Sequence, residues 1–230
     1  MTLVIFDVDG TLVFSDRRDS QAFGQTYLEI YGKEFPSLDW NHFPHVTDHT
    51  IFGTAIRQQF DRSIRVGEIE AFQKQYLARL REKRVASPQH FKQVPGASEM
   101  VARLQSEARF GVAVATGGWK VPAEVKLDHI GIDPRELVLV GADNKTTREE
   151  ILQSSIDQSQ AVLPEINKVV YIGDAIWDVR TTRNMGLNFV GIRHRADVEV
   201  LKSQGASVVI NNYLDQDHFL EMVESAKPPI

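Results

Sequence analysis

The sequence predicts an α/β protein, a doubly wound parallel sheet flanked by helices and interrupted after its first strand by an all-helical insert. Three observations carry this. First, Leu3-Val4-Ile5-Phe6 is an unbroken apolar run that leads into Asp7-Val8-Asp9-Gly10-Thr11, as suits a strand buried on both faces of a parallel sheet. Second, residues from about 15 to 90 show only helical spacing, with no strand-like alternation. Third, strand-like and helix-like segments alternate from Pro95-Gly96 onward, the pattern of repeated β-α-β units.

In chain order, Asp16 to Tyr31 reads as a helix with Phe23, Tyr27 and Ile30 on one face and Gly32 as a stop. Pro36 to Val46 is irregular. Thr47-Asp48 resembles an N-cap for a helix carrying Ile51, Ala55 and Ile56. Val66 to Arg84 repeats Ile69, Phe72, Tyr76 and Leu80 at helical spacing. Beyond Pro95-Gly96 come helix Ala97–Glu107, strand Gly111–Thr116, helix Pro122–Ile130 and strand Leu137–Gly141. Helix Thr147–Ser155 opens on Thr147-x-x-Glu150, a capping box. Strand Val169–Gly173, helix Ile176–Met185, strand Phe189–Ile192, a short helix near Val198–Gln204, strand Val208–Ile210 and a terminal helix complete the pattern.

Composition narrows the function. The chain has 230 residues, 42% of them hydrophobic, enough for a sizeable core. A net charge of −5 argues against a broad nucleic-acid surface, which needs clustered Lys and Arg. With no Cys there is no thiolate nucleophile and no Cys-ligated metal. No apolar run approaches the roughly 20 residues of a membrane span, and the chain opens almost directly on its first strand without a signal-peptide pattern. A soluble cytoplasmic protein is expected.

Chemistry collects at the carboxyl ends of the strands, where ligands bind in open parallel sheets. Asp7 and Asp9 follow the first strand, Thr116-Gly117-Gly118 follows the second, and Gly173-Asp174-Ala175-Ile176-Trp177-Asp178 follows another. Read singly, these are an Asp-Gly turn and two helix caps. Read together, they bring several carboxylates, a hydroxyl and close-approaching backbone N–H groups to one edge. Oxygen ligands of this kind suit Mg²⁺ held alongside a phosphate.

DVDGT, the Thr after an apolar strand and GDAIWD, in this order, resemble the motifs of the haloacid dehalogenase (HAD) superfamily of phosphatases and phosphotransferases. The resemblance implies a Rossmann-like core from residues 1–14 and 91–230. The 15–90 insert is similar to the family's helical cap class, which includes phosphoglycolate phosphatase and β-phosphoglucomutase. It makes Asp7 the nucleophile that forms an aspartyl phosphate and Asp9 the general acid and base. It gives Mg²⁺ to Asp7, the main-chain carbonyl of Asp9 and Asp174, with Asp178 in support. It gives the phosphoryl oxygens to Thr116 and Gly117, and implies one further cation there. Lys126, which would lean back toward the start of its helix, is preferred, with Lys145 and Arg148 as alternatives.

His42, His45, Asp48 and His49 form a second cluster. Zinc ligation is set aside, because Pro44 breaks the spacing and no second ligand pair is apparent. His45, Asp48 and His49 are expected to read the substrate. The expected protein is therefore a Mg²⁺-dependent phosphatase of a small phosphorylated metabolite, a monomer or homodimer, binding neither nucleic acid nor membrane. A phosphomutase or a non-catalytic phospholigand-binding regulator are the alternatives.

Overall fold

The computed structural model describes residues 1–14, 17–43, 45–194 and 197–230. Asp16, the expected start of the first helix, and Pro44, in the irregular loop, lie outside them.

Six parallel strands form one sheet in the order β3-β2-β1-β4-β5-β6. They are β1 (Thr2–Phe6), β2 (Phe110–Ala115), β3 (Val138–Val140), β4 (Lys168–Gly173), β5 (Asn188–Ile192) and β6 (Val209–Ile210). β1 is central, with Ile5 level with Ala113 of β2 on one side and Tyr171 of β4 on the other. Leu3, Val4, Ile5 and Phe6 are fully buried, as the unbroken apolar run requires. Because strand order reverses at β1, the crevice at its carboxyl end is where a ligand would enter.

Helices cover both faces. They are α4 (Ala97–Ser106), α5 (Lys120–His129), α6 (Arg148–Val162), α7 (Ile176–Met185), α8 (Glu199–Lys202) and α9 (Gln216–Ser225). The capping box at Thr147 and Glu150 forms, and α6 runs on to Val162, beyond the expected end. None of the described helices is long and apolar enough to cross a membrane.

The insert holds α1 (Arg17–Tyr31), α2 (Asp48–Phe60) and α3 (Glu68–Ala86). α1 packs along α3. Their apolar stripes meet in an aromatic interior, with Phe72 centred 4.8 Å from both Phe23 and Phe52. The two connections to the sheet run side by side: the Val94 N–H donates to the Leu12 carbonyl at 2.8 Å, and Phe14 N–H to that of Lys92 at 2.9 Å. This paired neck places the insert above the end of β1.

Candidate active site

Below the insert, a cavity of about 440 Å³ opens at the carboxyl edge of the sheet. Its floor holds Asp7, Asp9, Thr116, Gly117, Gly118, Lys126, Arg148 and Asp174. Its upper wall is Asp19, Ser20, Trp40, Asn41, Asp48 and Tyr76.

Asp7 continues the pairing of β1, its N–H donating to the Ile172 carbonyl at 2.9 Å. The side chain is almost fully buried. Arg148 Nη2 donates to Asp7 Oδ2 at 3.0 Å, to Asp178 Oδ1 at 2.5 Å and lies 3.0 Å from the Tyr171 hydroxyl. Asp7 Oδ1 has no hydrogen-bond partner among the described residues. Burial pushes the Asp7 carboxyl above its ordinary range, while the Arg148 guanidinium pulls it back.

Arg148 is the first residue of α6, where the helix dipole disfavours a cation. The arrangement holds because two buried carboxylates face the guanidinium. Asp178 is itself fixed in the first turn of α7, accepting from the Ala175 N–H at 3.0 Å.

Asp7, Asp174 and Asp178 each bring a carboxylate oxygen within 4.8 Å of the others. Burial, then the neighbouring charges of Asp178 and Asp7, hold the Asp174 carboxyl well above the usual range. Three crowded carboxylates and an unpartnered Asp7 oxygen form a donor set that fits a hard divalent cation. Gly10 permits this crowding. Its φ is +80°, and a Cβ there would lie 2.1 Å from Asp174 Oδ2.

Asp9 lies under a different cation. Lys126 Nζ is 2.7 Å from each Asp9 carboxylate oxygen and 2.7 Å from Asp19 Oδ2 of the insert. Burial lifts the Asp9 carboxyl to about 6 against the opposing pull of Lys126. Lys126 is itself raised despite burial, because Asp19 and Asp9 stabilise its charge.

The Thr116 hydroxyl accepts from the Gly118 N–H at 3.2 Å. A Cβ on Gly117 would meet Arg148 Nη1 at 2.3 Å and the Val46 carbonyl at 2.5 Å, so glycine lets both approach. Lys145 is not in the cavity wall, and its ammonium lies 3.4 Å from the Asp143 carbonyl of its own loop.

The insert is seated on these core loops. Thr47 caps α2 as expected, accepting from the Thr50 N–H, and both threonine hydroxyls donate to the Thr146 carbonyl. Asp48 N–H donates to the Gly117 carbonyl at 2.8 Å, and Asp48 Oδ2 accepts from the Trp119 N–H at 3.0 Å. Burial lifts the Asp48 carboxyl to about 7. Of the three expected substrate-reading residues, only Asp48 lines the cavity. His45 is exposed in the loop ahead of α2, and His49, in the first turn of α2, is not among the lining residues.

Sequence reasoning passed over Asp19, Tyr171 and Trp119. An acid in a helix's first turn and a tyrosine within a strand are ordinary by propensity, so neither carried a signal. Trp119 is fully buried and enters the insert's aromatic interior, stacked on Phe23 at 5.7 Å and near Phe72 at 5.8 Å. A tryptophan directly after two glycines at a strand end was the available cue.

Comparison with known proteins identifies the family to which the chain belongs. Residues 4–192 match the model of the haloacid dehalogenase-like hydrolase family. Glycerol-1-phosphate phosphohydrolase 2 of Saccharomyces cerevisiae is 25% identical over 218 residues, covering 91% of this chain and 81% of the relative. A hydrolase from Pseudomonas syringae superposes with a TM-score of 0.71 at 21% identity, over 96% of this chain and 98% of that one. A Bacteroides vulgatus protein provisionally assigned as a β-phosphoglucomutase gives 0.68 at 18% identity, over 98% and 89%. The chain belongs to the haloacid dehalogenase-like hydrolases and is an enzyme of that family's phosphatase kind.

Proposed function

We propose that the protein is a Mg²⁺-dependent phosphatase that hydrolyses the phosphomonoester of a small hydroxylated metabolite through an aspartyl phosphate on Asp7. The observation that carries this is the division of labour at the sheet edge. One oxygen of Asp7 is held by Arg148, the other is unpartnered, and a second carboxyl of raised proton affinity, Asp9, stands two residues on.

In this reading the Asp7 carboxylate attacks phosphorus and the ester P–O bond breaks. Asp9, kept partly protonated near neutrality by burial, gives its proton to the departing alkoxide. It then takes a proton from the water that attacks the aspartyl phosphate, releasing inorganic phosphate and restoring Asp7. Arg148 keeps Asp7 ionised and faces the charge that develops on the phosphoryl oxygens, as Thr116 and the Gly117-Gly118 backbone do from the other side. The carboxylates of Asp7, Asp174 and Asp178, with the Asp9 carbonyl, would hold Mg²⁺, which when bound supplies charge neutralisation to the transferring group.

The helical insert, residues 15–90, acts as the cap over residues 1–14 and 91–230, and its seating excludes water from the intermediate. Ser20, Asn41 and Asp48 offer hydrogen-bonding groups to a hydroxylated leaving group, and Trp40 and Tyr76 offer it apolar surface. The Saccharomyces cerevisiae relative, named for glycerol-1-phosphate, points to the same substrate class. The test is a screen of phosphomonoesters with and without Mg²⁺, reading released phosphate. Hydrolysis should need the metal and favour short polyol phosphates. Hydrolysis of none of them, or equal rates in excess EDTA, would overturn the reading.

A further inference from the structure

We propose that Asp19 and Lys126 are a positioning pair that ties the seating of the helical insert to the proton-transfer carboxyl of Asp9; this rests on the phosphatase reading above. A lysine ammonium has three N–H donors. Here it has three carboxylate oxygens at 2.7 Å, two from Asp9 and one from Asp19. No donor is left over for a phosphoryl oxygen. The cation that touches the nucleophile is instead Arg148, 3.0 Å from Asp7. Lys126 and Arg148 therefore serve different carboxylates, and Lys126 acts through Asp9.

The pair also crosses the boundary between insert and sheet. Lys126 is on α5, beside the sheet, and is only 5% exposed. Asp19 is in the first turn of α1, in the insert. The ammonium is fully partnered only when α1 lies over the sheet edge, and that position is fixed by the Asp48 and Thr47 contacts to the core loops. With the insert seated, Asp9 is clamped through both oxygens and aimed from one side. With Asp19 removed, one donor and one charge are released, and Lys126 is free to swing from Asp9. Proton delivery then becomes efficient only over a covered site.

The consequence is specific to the leaving group. An alkoxide needs a proton to depart, and p-nitrophenolate does not. The parameter to compare is kcat/KM, which reports only the steps through departure of the leaving group. Lys126→Met and Asp19→Asn are measured with glycerol 1-phosphate and with p-nitrophenyl phosphate, alongside thermal melts and Asp7→Asn.

For Lys126→Met, kcat/KM on the alkyl ester should fall by roughly 100-fold, the lower end of what a positioned acid contributes. On p-nitrophenyl phosphate it should fall by less than about 5-fold. Asp19→Asn should shift the ratio in the same direction by about 10-fold. Both variants should show a burst of p-nitrophenol ahead of phosphate, because Asp9 also activates the water of the second step. Equal losses on both esters would make Lys126 a phosphate ligand and overturn the proposal. An unchanged ratio in Asp19→Asn would overturn it as well, and that variant decides the matter if Lys126→Met does not fold. Persistent activity of Asp7→Asn would instead reject the phosphatase reading, so the two failures are distinguishable.

Discussion

Replacing Arg148 with methionine should damage both stability and turnover, and the contacts set the size of each effect. Methionine keeps most of the buried stem but removes the guanidinium that faces Asp7, Asp178 and the Tyr171 hydroxyl. Taking one partner from a buried ion pair typically costs about 3–5 kcal/mol, because the carboxylates are left uncompensated. At an effective dielectric of about 20, a pair of charges 3 Å apart interacts by roughly 5 kcal/mol, the same order. Turnover should fall by about 10²–10³-fold, the usual cost of a lost donor to developing charge. Urea denaturation at pH 7 reads the first effect and phosphate release the second. Mg²⁺ should restore more stability to the variant than it adds to the parent, because the crowded carboxylates of Asp7, Asp174 and Asp178 have lost their resident cation. An Arg148→Met protein within threefold of parental activity and unchanged in urea midpoint would refute the reasoning.

Asp48→Asn should flatten a pH dependence. Burial holds this carboxyl at about 7 in the folded protein against 3.8 in an exposed chain. Between those values the folded state keeps a proton that the unfolded state has lost, so stability falls as pH rises and levels off above 7. After allowance for its partial exposure, the difference between parent and variant across pH 4–8 should be on the order of 1–2 kcal/mol; parallel curves would contradict it. Gly10→Ala, at φ +80° and 2.1 Å from Asp174, should weaken Mg²⁺ binding by displacing that carboxylate, as a metal titration followed by calorimetry would show; parental affinity would reject the crowding argument. Trp119→Ala should cost about 3–5 kcal/mol in chemical denaturation, since the ring is fully buried among Phe23, Phe52 and Phe72. A loss below about 1 kcal/mol would mean that the insert does not depend on this anchor.

The fold was legible because the strands are apolar runs and α2 and α6 are capped where their cap residues predict. Thr47 and Thr147 both occupy the expected positions. Asp7, Asp9, Asp174 and Thr116 were found because strand ends are fixed once the strands are known, and a parallel sheet brings those ends together. The cations were harder. A helix start gives no reason to expect Arg148 in a buried site, since its placement opposes the helix dipole and only contacts 141 and 30 residues away in sequence compensate it. Lys126 reaches the cavity, as its lean toward the helix start suggests, but its partners come from two other segments and could not be read from spacing. The loop around His45 drew attention by composition. What lines the cavity there is Trp40 and Asn41, from a short 3-10 turn ahead of α2, and Asp48, the first residue of α2, which backbone geometry rather than composition decides.

The proposed reaction phosphorylates the carboxylate of Asp7 and then hydrolyses the resulting acyl phosphate. Its most direct test is to quench the enzyme during turnover of a phosphomonoester with Mg²⁺, reduce it with borohydride and locate the modified residue by mass spectrometry. An acyl phosphate is reduced to the alcohol, so the account predicts homoserine at position 7, absent without substrate and absent in Asp7→Asn. Turnover that continues with an unreduced Asp7, or with the reduced residue at another position, would contradict it.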